Sequence, residues 1–245
     1  LPARPGSRAR SSDQQFCPAA RTLDLVGERW TLLIVRDLIT GPKRWSELRA
    51  LLPGLAGNLL AERLRSLEAA GLVEHGADPA APSRKSYALT ERGRELDDVV
   101  MALARFGLPY LDAPTDEEPL LPHLRDESLR VAVRAEALPA SGCTIAFHLD
   151  EGDYRLDVAP LDDDAGRPRP PSARIGLTKD PDPAAAPVDA EVRSSLPVVL
   201  WVRRGDLGWD DAVASGDLAV TGDTALVRRV VGDGVARGRG AVRRV

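Results

Sequence analysis

The feature that most constrains the fold is an ordered series of helix and turn signals between residues 27 and 93. Apolar residues recur at helical spacing in three short segments, and Gly or Pro residues separate them, which favours three helices rather than one. Two short strand-like runs follow, on either side of a tip that contains Pro and basic residues. The predicted helices cover residues 30–39, 44–51 and 56–70, the strands cover 72–75 and 86–89, and the tip covers 76–85. Three short amphipathic helices followed by a hairpin predict a winged helix-turn-helix, a fold that places one helix in the major groove of DNA.

The third of these helices has the composition expected of the helix that enters the groove. At 100° per residue, one side carries a buried stripe of leucines: Leu59, Leu60, Leu64 and Leu67. The other side carries small or polar residues, which are candidate base contacts: Asn58, Ala61, Glu62 and Arg65. Such a face leaves the helix free to approach base edges, because no bulky group stands in the way. An ordinary solvated helix face is the alternative interpretation. Arg63 falls among the leucines and is expected to extend to solvent or to pair with a carboxylate.

Four basic residues beside these elements are candidate phosphate contacts. They stand at the start of the second predicted helix or at the hairpin tip: Lys43, Arg44, Arg84 and Lys85. Contacts to phosphates set affinity and salt dependence and carry no sequence information themselves. Ordinary surface charge is the alternative interpretation for each.

Length and charge indicate two domains. The chain has 245 residues and a formal net charge of −4. Residues 1–112 carry 16 Lys/Arg and 14 Asp/Glu (+2), whereas residues 113–245 carry 17 and 23 (−6). A chain of this length can bury two modest cores, and the unequal charge fits that division. The predicted organisation is a disordered arm (1–15), a winged domain (16–111), a linker (112–124), a second domain (125–231) and a flexible tail (232–245). The predicted fold class is α+β, with a mainly helical winged domain that carries a β-hairpin, followed by an α+β domain.

The second half mixes strand and helix signals. Ile145, Phe147 and Leu149 alternate with polar or small residues, and a turn at residues 151–153 leads to a second strand. Further expected elements are a strand over 173–178, a helix over 187–196, a strand or helix over 197–203, a helix over 209–215, a strand over 218–221 and a helix over 224–230. Four aromatic residues are candidates to line an apolar ligand pocket, with plain core packing as the alternative: Phe147, Tyr154, Trp201 and Trp209.

Composition argues against several other classes of protein. The three His residues are scattered, and none is paired with Cys at zinc-site spacing. The sequence has neither a Gly-x-Ser-x-Gly elbow nor a phosphate-cradling Gly loop, so we expect no enzyme, no metal and no cofactor. It has no run of about 18 apolar residues, so we expect no membrane span. The two Cys residues fit a reducing cytoplasm.

One of the two Cys residues stands where a reactive thiol could form. A further helix is expected to begin near Cys17-Pro18, before the three described above. Cys17 would then lie near a helix start with Arg21 one turn on, so it is a candidate redox-sensing thiol. A Cys that packs at a subunit interface is the alternative.

Residues 17–107 resemble the HxlR-type regulators, a branch of the bacterial winged-helix transcription factors. The matching residues occur in order at the right spacings: Cys17-Pro18, Gly27 with Trp30, Gly41-Pro42 to Leu48, Pro53-Gly54-Leu55, Arg63-Leu64, Gly71-Leu72-Val73, Tyr87 to Gly93 and Phe106-Gly107. Trp45 stands where Phe is usual, and Ala56 replaces a Ser at the start of the recognition helix, which removes a cap and a phosphate contact. The resemblance implies a homodimer formed through the first and last helices around the winged core.

The second half is more weakly similar to sterol-carrier-protein-like domains, chiefly over residues 208–223 with Leu226 and Val230. Such domains are α+β folds with an apolar cavity between sheet and helices. The resemblance therefore implies an apolar ligand in this half. A domain that only strengthens a dimer is the alternative.

These observations predict a homodimeric transcription regulator, most simply a repressor. It would read a pseudo-palindromic operator in double-stranded DNA and respond to an apolar small molecule. The alternative is a carrier or sequestering protein for a small molecule or lipid, in which the winged domain only mediates dimerisation. The basic hairpin tip and the unobstructed face of the third helix favour the regulator, because dimerisation alone requires neither.

Overall fold

The computed structural model describes residues 16–78, 81–112, 115, 121–163, 166, 174–182 and 186–232. The chain divides into two compact units, Leu1–Val100 and Met101–Val245. The predicted arm at 1–15 lies outside the described residues, as do most of the linker at 112–124 and nearly all of the tail at 232–245. The predicted domain limits therefore stay predictions.

Short helices and a hairpin build the first unit. The helices are α1 (Pro18–Val26), α2 (Thr31–Ile39), α3 (Trp45–Leu51), α4 (Gly57–Ala69) and α5 (Glu91–Arg94), and the strands are β1 (Val73–Asp78) and β2 (Ala81–Leu89). The next helix, α6 (Leu96–Gly107), continues across the boundary between the units. The helices predicted over 30–39, 44–51 and 56–70 are confirmed to within a residue. Thr90 caps α5, since its hydroxyl accepts the backbone N–H of Gly93 at 3.0 Å.

The hairpin is longer than the sequence predicted. β1 and β2 pair antiparallel from Val73–Leu89 to Asp78–Ala81, with a register shift after Ala77. Much of the expected tip at residues 76–85 therefore belongs to the strands. Pro residues disfavour regular pairing because they lack a backbone N–H. An edge strand tolerates a missing N–H, however, and a register shift accommodates local irregularity.

A leucine-rich core holds the first unit together. Leu60, Leu64 and Leu67 of α4 are at most 1% exposed and pack in one cluster with Ile34 of α2 and Leu48 of α3. Burial of a Leu side chain contributes about 2 kcal/mol relative to exposure. The core therefore fixes which face of α4 points outward.

A mixed sheet forms the centre of the second unit. Its strands are β3 (Cys143–Leu149), β4 (Gly152–Val158), β5 (Ile175–Lys179), β6 (Ala190–Ser194) and β7 (Ala219–Gly222), in the order β5-β4-β3-β6-β7. β3 and β6 are parallel, and the other neighbours are antiparallel. The helices of the described part are α7 (Arg125–Ala132), α8 (Leu196–Arg204), α9 (Trp209–Ser215) and α10 (Thr224–Val231). Buried residues from one sheet face, such as Ile145 and Val192, share a core with α8 and α10. This unit is thus α+β, as predicted.

The helix predicted over residues 187–196 is wrong. Residues 190–194 form β6, which pairs with β3 on one side and β7 on the other. Ala190 and Val192 are buried, whereas Glu191 and Arg193 face away from the core. Pairing on both sides of a central strand outweighs the weak helical preference of a short segment. The helix α8 then begins at Leu196, which settles the strand-or-helix alternative for residues 197–203.

Candidate nucleic-acid interface

The outward face of α4 is the centre of the candidate interface. Ala56 precedes the helix in an extended conformation and provides no side-chain cap, as the missing hydroxyl predicts. The candidate base contacts lie opposite the leucine stripe. Asn58, Glu62 and Arg65 are exposed, and Ala61 is half-buried. Their role in contacting bases stays a prediction.

Two arginines of α4 have different surroundings. Arg63 donates through Nη2 to the Glu28 carboxylate at 2.9 Å, and its side chain is only 17% exposed. The expectation that Arg63 pairs with a carboxylate is therefore confirmed. Arg65 is exposed, and its Nε donates to the carbonyl of Ala61 at 3.1 Å. Within the described residues Arg65 forms no ion pair, so its terminal nitrogens remain available to an acceptor on a ligand.

Glu62 adds a negative charge to the same face. Its carboxylate lies 3.4 Å from Nη1 of Arg63, which balances part of that charge. A carboxylate repels phosphates but can accept a hydrogen bond from the cytosine amino group in the major groove. Glu62 therefore suits base discrimination better than general affinity.

Trp45, the first residue of α3, lies over the first turn of α4, a contact that sequence analysis missed. A Cβ built on Gly57 would stand 3.2 Å from Cζ2 of the Trp45 ring. The indole is nevertheless 40% exposed, so it belongs to the surface around the beginning of α4. The sequence gives no local signal for this contact, because Trp45 and Gly57 belong to two different helices.

The segment before α3 is joined to the hairpin by a single antiparallel β-bridge between Lys43 and Tyr87. The backbone N–H of Lys43 donates to the carbonyl of Tyr87 at 2.9 Å, and the N–H of Tyr87 donates back at 2.8 Å. The Lys43 ammonium donates to the hydroxyl of Thr40 at 3.0 Å and to the carbonyl of Gly41 at 3.2 Å. This pairing ties the helical part of the unit to the hairpin and places Lys43 where the two meet.

Arg44 is bound within the protein. Its backbone N–H donates to Glu47 Oε2 at 2.6 Å, and its guanidinium donates to Oε1 at 2.6 Å from Nη2. These hydrogen bonds hold the pKa of Glu47 below its usual value. Because the charge of Arg44 is already paired, Arg44 is a weaker phosphate candidate than the sequence alone indicated.

Arg84 and Lys85 extend from the hairpin strand β2, and both are exposed. Neither forms an ion pair with a carboxylate of the described residues. Nearby, the rings of His75 and Tyr87 stack with centroids 4.3 Å apart and planes 5° apart. Burial, together with the charge of Glu68, raises the pKa of Tyr87. The stacked pair stiffens the hairpin that carries the two cations.

The candidate redox thiol and the candidate ligand pocket stay predictions. Cys17 lies directly before α1 and is half-buried, and its neighbour Arg21 pairs with Asp24 at 3.2 Å. In the second unit, three of the four candidate pocket aromatics are buried in the hydrophobic core: Phe147, Tyr154 and Trp209. Trp201 instead lines an open depression of about 440 Å³.

Two further observations concern the described residues alone. These residues include no group of three or more His, Cys, Asp or Glu side chains that could hold a metal ion. Among the described helices, none combines the length and hydrophobicity that crossing a bilayer requires.

Comparison with known proteins places the first unit in a family. Residues 25–115 match the sequence profile of the HxlR-like helix-turn-helix family. An HTH-type transcriptional regulator of Synechocystis is 36% identical over 106 residues, which are 43% of this chain and 78% of that protein. The HTH-type transcriptional regulator YvaP of Bacillus subtilis is 34% identical over 102 residues, which are 41% of this chain and 94% of that protein. Among solved structures, the redox regulator HypR in its oxidized form shows 32% identity and a TM-score of 0.36, over 40% of this chain and all of that chain.

The profile ends at residue 115 and so does not reach the sheet of the second unit. The likeness of that unit to sterol-carrier-protein-like domains stays a prediction. The chain is 36% and 34% identical to these two regulators over 78% and 94% of their lengths, which is sufficient to assign its family. The chain therefore belongs to the HxlR-like helix-turn-helix family of transcriptional regulators.

Proposed function

We propose that this regulator inserts α4 into the major groove of double-stranded DNA and contacts bases through Asn58, Ala61, Glu62 and Arg65. The observation that carries the proposal is the outward face of α4, which is small or polar and lies opposite the buried residues Leu60, Leu64 and Leu67. An Asn amide can pair with both polar atoms of an adenine edge, and an Arg can do so with guanine. Asn58 and Arg65 are therefore the residues expected to discriminate between bases.

Phosphate contacts orient the helix in the groove. Arg84 and Lys85 project from the hairpin without carboxylate partners in the described part of the chain, and Lys43 lies where the hairpin meets the helices. These cations neutralise phosphates on both sides of the groove, whereas the paired Arg44 contributes less.

A homodimer would present two copies of α4 to half-sites about one helical turn apart. The support is apolar surface on the two helices that the family resemblance assigns to dimerisation. On α1, Leu23 and Leu25 are 61% and 48% exposed, and on α6, Leu103 and Phe106 are 50% and 73% exposed. Isolated exposed leucines are common, but two large exposed apolar residues on each helix favour a surface on each that a partner covers. Sedimentation of the full chain and of Leu23→Glu and Phe106→Glu variants tests the dimer, and unchanged self-association in both variants would remove this surface.

The second unit is the proposed place where DNA binding is regulated. The regulator predicted from the sequence is an apolar small molecule. Such a ligand changes DNA binding only through different affinities for DNA-competent and DNA-incompetent dimers. Titration of an apolar probe into the protein–DNA complex would reveal the coupling. Repression in turn predicts that loss of the protein raises transcription from promoters that contain the bound sequence.

Selection of bound sequences from a random DNA pool tests the DNA-binding proposal directly. We expect the full chain to enrich a pseudo-palindrome, and Asn58→Ala or Arg65→Ala to relax the preference at one position of each half-site. The loss per contact should be about 1–3 kcal/mol of discrimination. Arg193→Ala, which removes an exposed charge from β6, is the matched control and should enrich the same sequence. A folded dimer that enriches no sequence and binds no DNA at low salt would favour the carrier alternative.

A further inference from the structure

A cavity of about 630 Å³ opens at one end of the sheet in the second unit. β3 and β5 begin there, β4 ends there, and Asp189 precedes the start of β6. The cavity volume lies within the range of small-molecule sites. The aromatic residues predicted to line an apolar pocket are not among those that line this cavity, whose wall includes Cys143, Thr144, Arg174 and Gly176.

The guanidinium of Arg174 is the unusual group in this cavity. Arg174 is 7% exposed, and it is among the few charged residues buried in the described part of the chain. Its Nε donates to the carbonyl of Ala159 at 3.2 Å and its Nη2 to the carbonyl of Pro139 at 2.7 Å. Nη1 donates to no described residue, and no described carboxylate forms an ion pair with the side chain. A buried cation without a counter-charge is costly, so an anion from solution is the natural partner.

The two carboxylates beside the cavity are already occupied by other donors. Asp157 accepts from Arg155 Nε at 3.0 Å and from the Thr144 hydroxyl at 3.1 Å. Asp189 accepts the backbone N–H of Thr144 at 2.7 Å. Neither forms an ion pair with Arg174, so the guanidinium can still bind an anion.

Apart from Asp157 and Asp189, the wall near Arg174 is formed by uncharged and mostly small residues. Burial, and then the charge of Asp189, raises the pKa of the Cys143 thiol to about 11, so the thiol is uncharged at neutral pH. Gly142 has a φ of +82°, and a Cβ there would stand 2.3 Å from the Val158 carbonyl oxygen, so this corner of the cavity admits no side chain. Gly176 also lines the cavity without a side chain. These features leave room beside the guanidinium for a ligand group.

We propose that this cavity binds a small molecule through an oxyanion, a carboxylate or a phosphate, with Arg174 as its charged partner. Two backbone carbonyls fix the guanidinium plane, so it can donate to an oxyanion without reorganisation. The residues of the site lie beyond the part of the chain that the family profile covers, and the site does not depend on DNA binding by the first unit.

Calorimetric titration of the full chain without DNA tests the proposal, with inorganic phosphate and succinate as probes and chloride added to constant ionic strength. We expect saturable binding of at least one probe, and the stronger of the two identifies the class of oxyanion. Arg174→Gln should weaken that binding about tenfold or more, as expected when a charge-assisted hydrogen bond is lost. Arg193→Gln, an exposed cation on β6 of the same unit, should leave it unchanged.

A second variant keeps the test decisive if Arg174→Gln fails to fold. A Cβ on Gly176 would meet its nearest atom at 3.6 Å, an ordinary contact, so Gly176→Val is expected to fold while its side chain enters the cavity. Loss of binding in this folded variant supports the site. Absence of saturable binding of either probe to the wild-type chain would overturn the proposal, as would equal affinity in wild type and Gly176→Val. Both outcomes are independent of whether the protein binds DNA.

Discussion

The indole of Trp45 lies against Gly57, where a Cβ would stand 3.2 Å from Cζ2 and 3.4 Å from Cη2. The first distance is shorter than an ordinary van der Waals contact, so the position of the ring and the absence of a side chain at residue 57 depend on each other. The ring belongs to α3 and the glycine to the first turn of α4. This contact therefore sets the distance between the helix that precedes the turn and the helix proposed to enter the groove.

A double-mutant cycle measures this dependence. We expect Gly57→Ala alone to reduce the free energy of unfolding by about 1 kcal/mol, because the new methyl group displaces the indole. In a Trp45→Ala background the same substitution should be neutral or stabilising by up to about 1 kcal/mol, since Ala favours a helix more than Gly does. Urea denaturation of the four proteins gives the coupling energy. Additive effects would mean that the two residues do not constrain each other.

The proposed phosphate contacts predict a specific salt dependence. The slope of log K against log salt concentration should become shallower by about 0.9 for each phosphate contact that is lost. We therefore expect a change of about 2 for the double variant Arg84→Ala/Lys85→Ala. Arg44→Ala should change the slope less, because Glu47 already binds the guanidinium at 2.6 Å. Fluorescence anisotropy with labelled operator between low and moderate salt gives the slopes. A larger effect of Arg44→Ala than of the double variant would contradict this assignment.

The lowered pKa of Glu47 predicts that its contribution to stability depends on pH. Hydrogen bonds from the side chain and then the backbone of Arg44 hold its pKa below the usual 4.5. The stabilisation is therefore fully present above the pKa of the unfolded chain and is lost as the pH falls through the pKa of the folded protein. Because the carboxylate is 39% exposed, we expect Glu47→Ala to cost only about 1 kcal/mol at pH 7, the usual contribution of a helix cap.

Urea unfolding at pH 7 and pH 3 compares Glu47→Ala with the wild type. The difference between the two proteins should shrink at the lower pH. Glu95→Ala is the control, since Glu95 is 68% exposed and lies 3.6 Å from its partner Arg92. A Glu47→Ala deficit that is equal at both pH values would show that the carboxylate charge does not contribute.

Helical spacing and capping predicted the first unit well, because these signals act within a few residues. The leucine stripe of α4 is such a local feature, and Leu60, Leu64 and Leu67 are buried as expected. The family resemblance rests on the same order of local signals. Which face of α4 points outward could therefore be predicted from the residues of α4 alone.

Features that depend on distant residues could not be predicted in this way. β6 forms in place of the expected helix because β3 and β7, far away in sequence, pair with it. The bridge between Lys43 and Tyr87 joins residues 44 positions apart. Likewise, the cavity around Arg174 appears only when the ends of several strands are brought together. The sequence pattern carries no short-range signal for any of these.

The thiol of Cys143 is expected to react slowly. At pH 8, a thiol with a pKa of about 11 is ionised to only about one part in a thousand, and only the thiolate reacts. We therefore expect the Cys17→Ser protein, which retains Cys143, to react with iodoacetamide on the order of a hundredfold more slowly than free cysteine. Its rate should rise about tenfold per pH unit toward pH 11 and become normal after denaturation in urea. The Cys143→Ser protein isolates Cys17 and, assayed with oxidant and operator, tests the redox prediction. Rapid, complete labelling of folded Cys17→Ser protein at pH 8 would contradict the raised pKa of the half-buried Cys143 thiol.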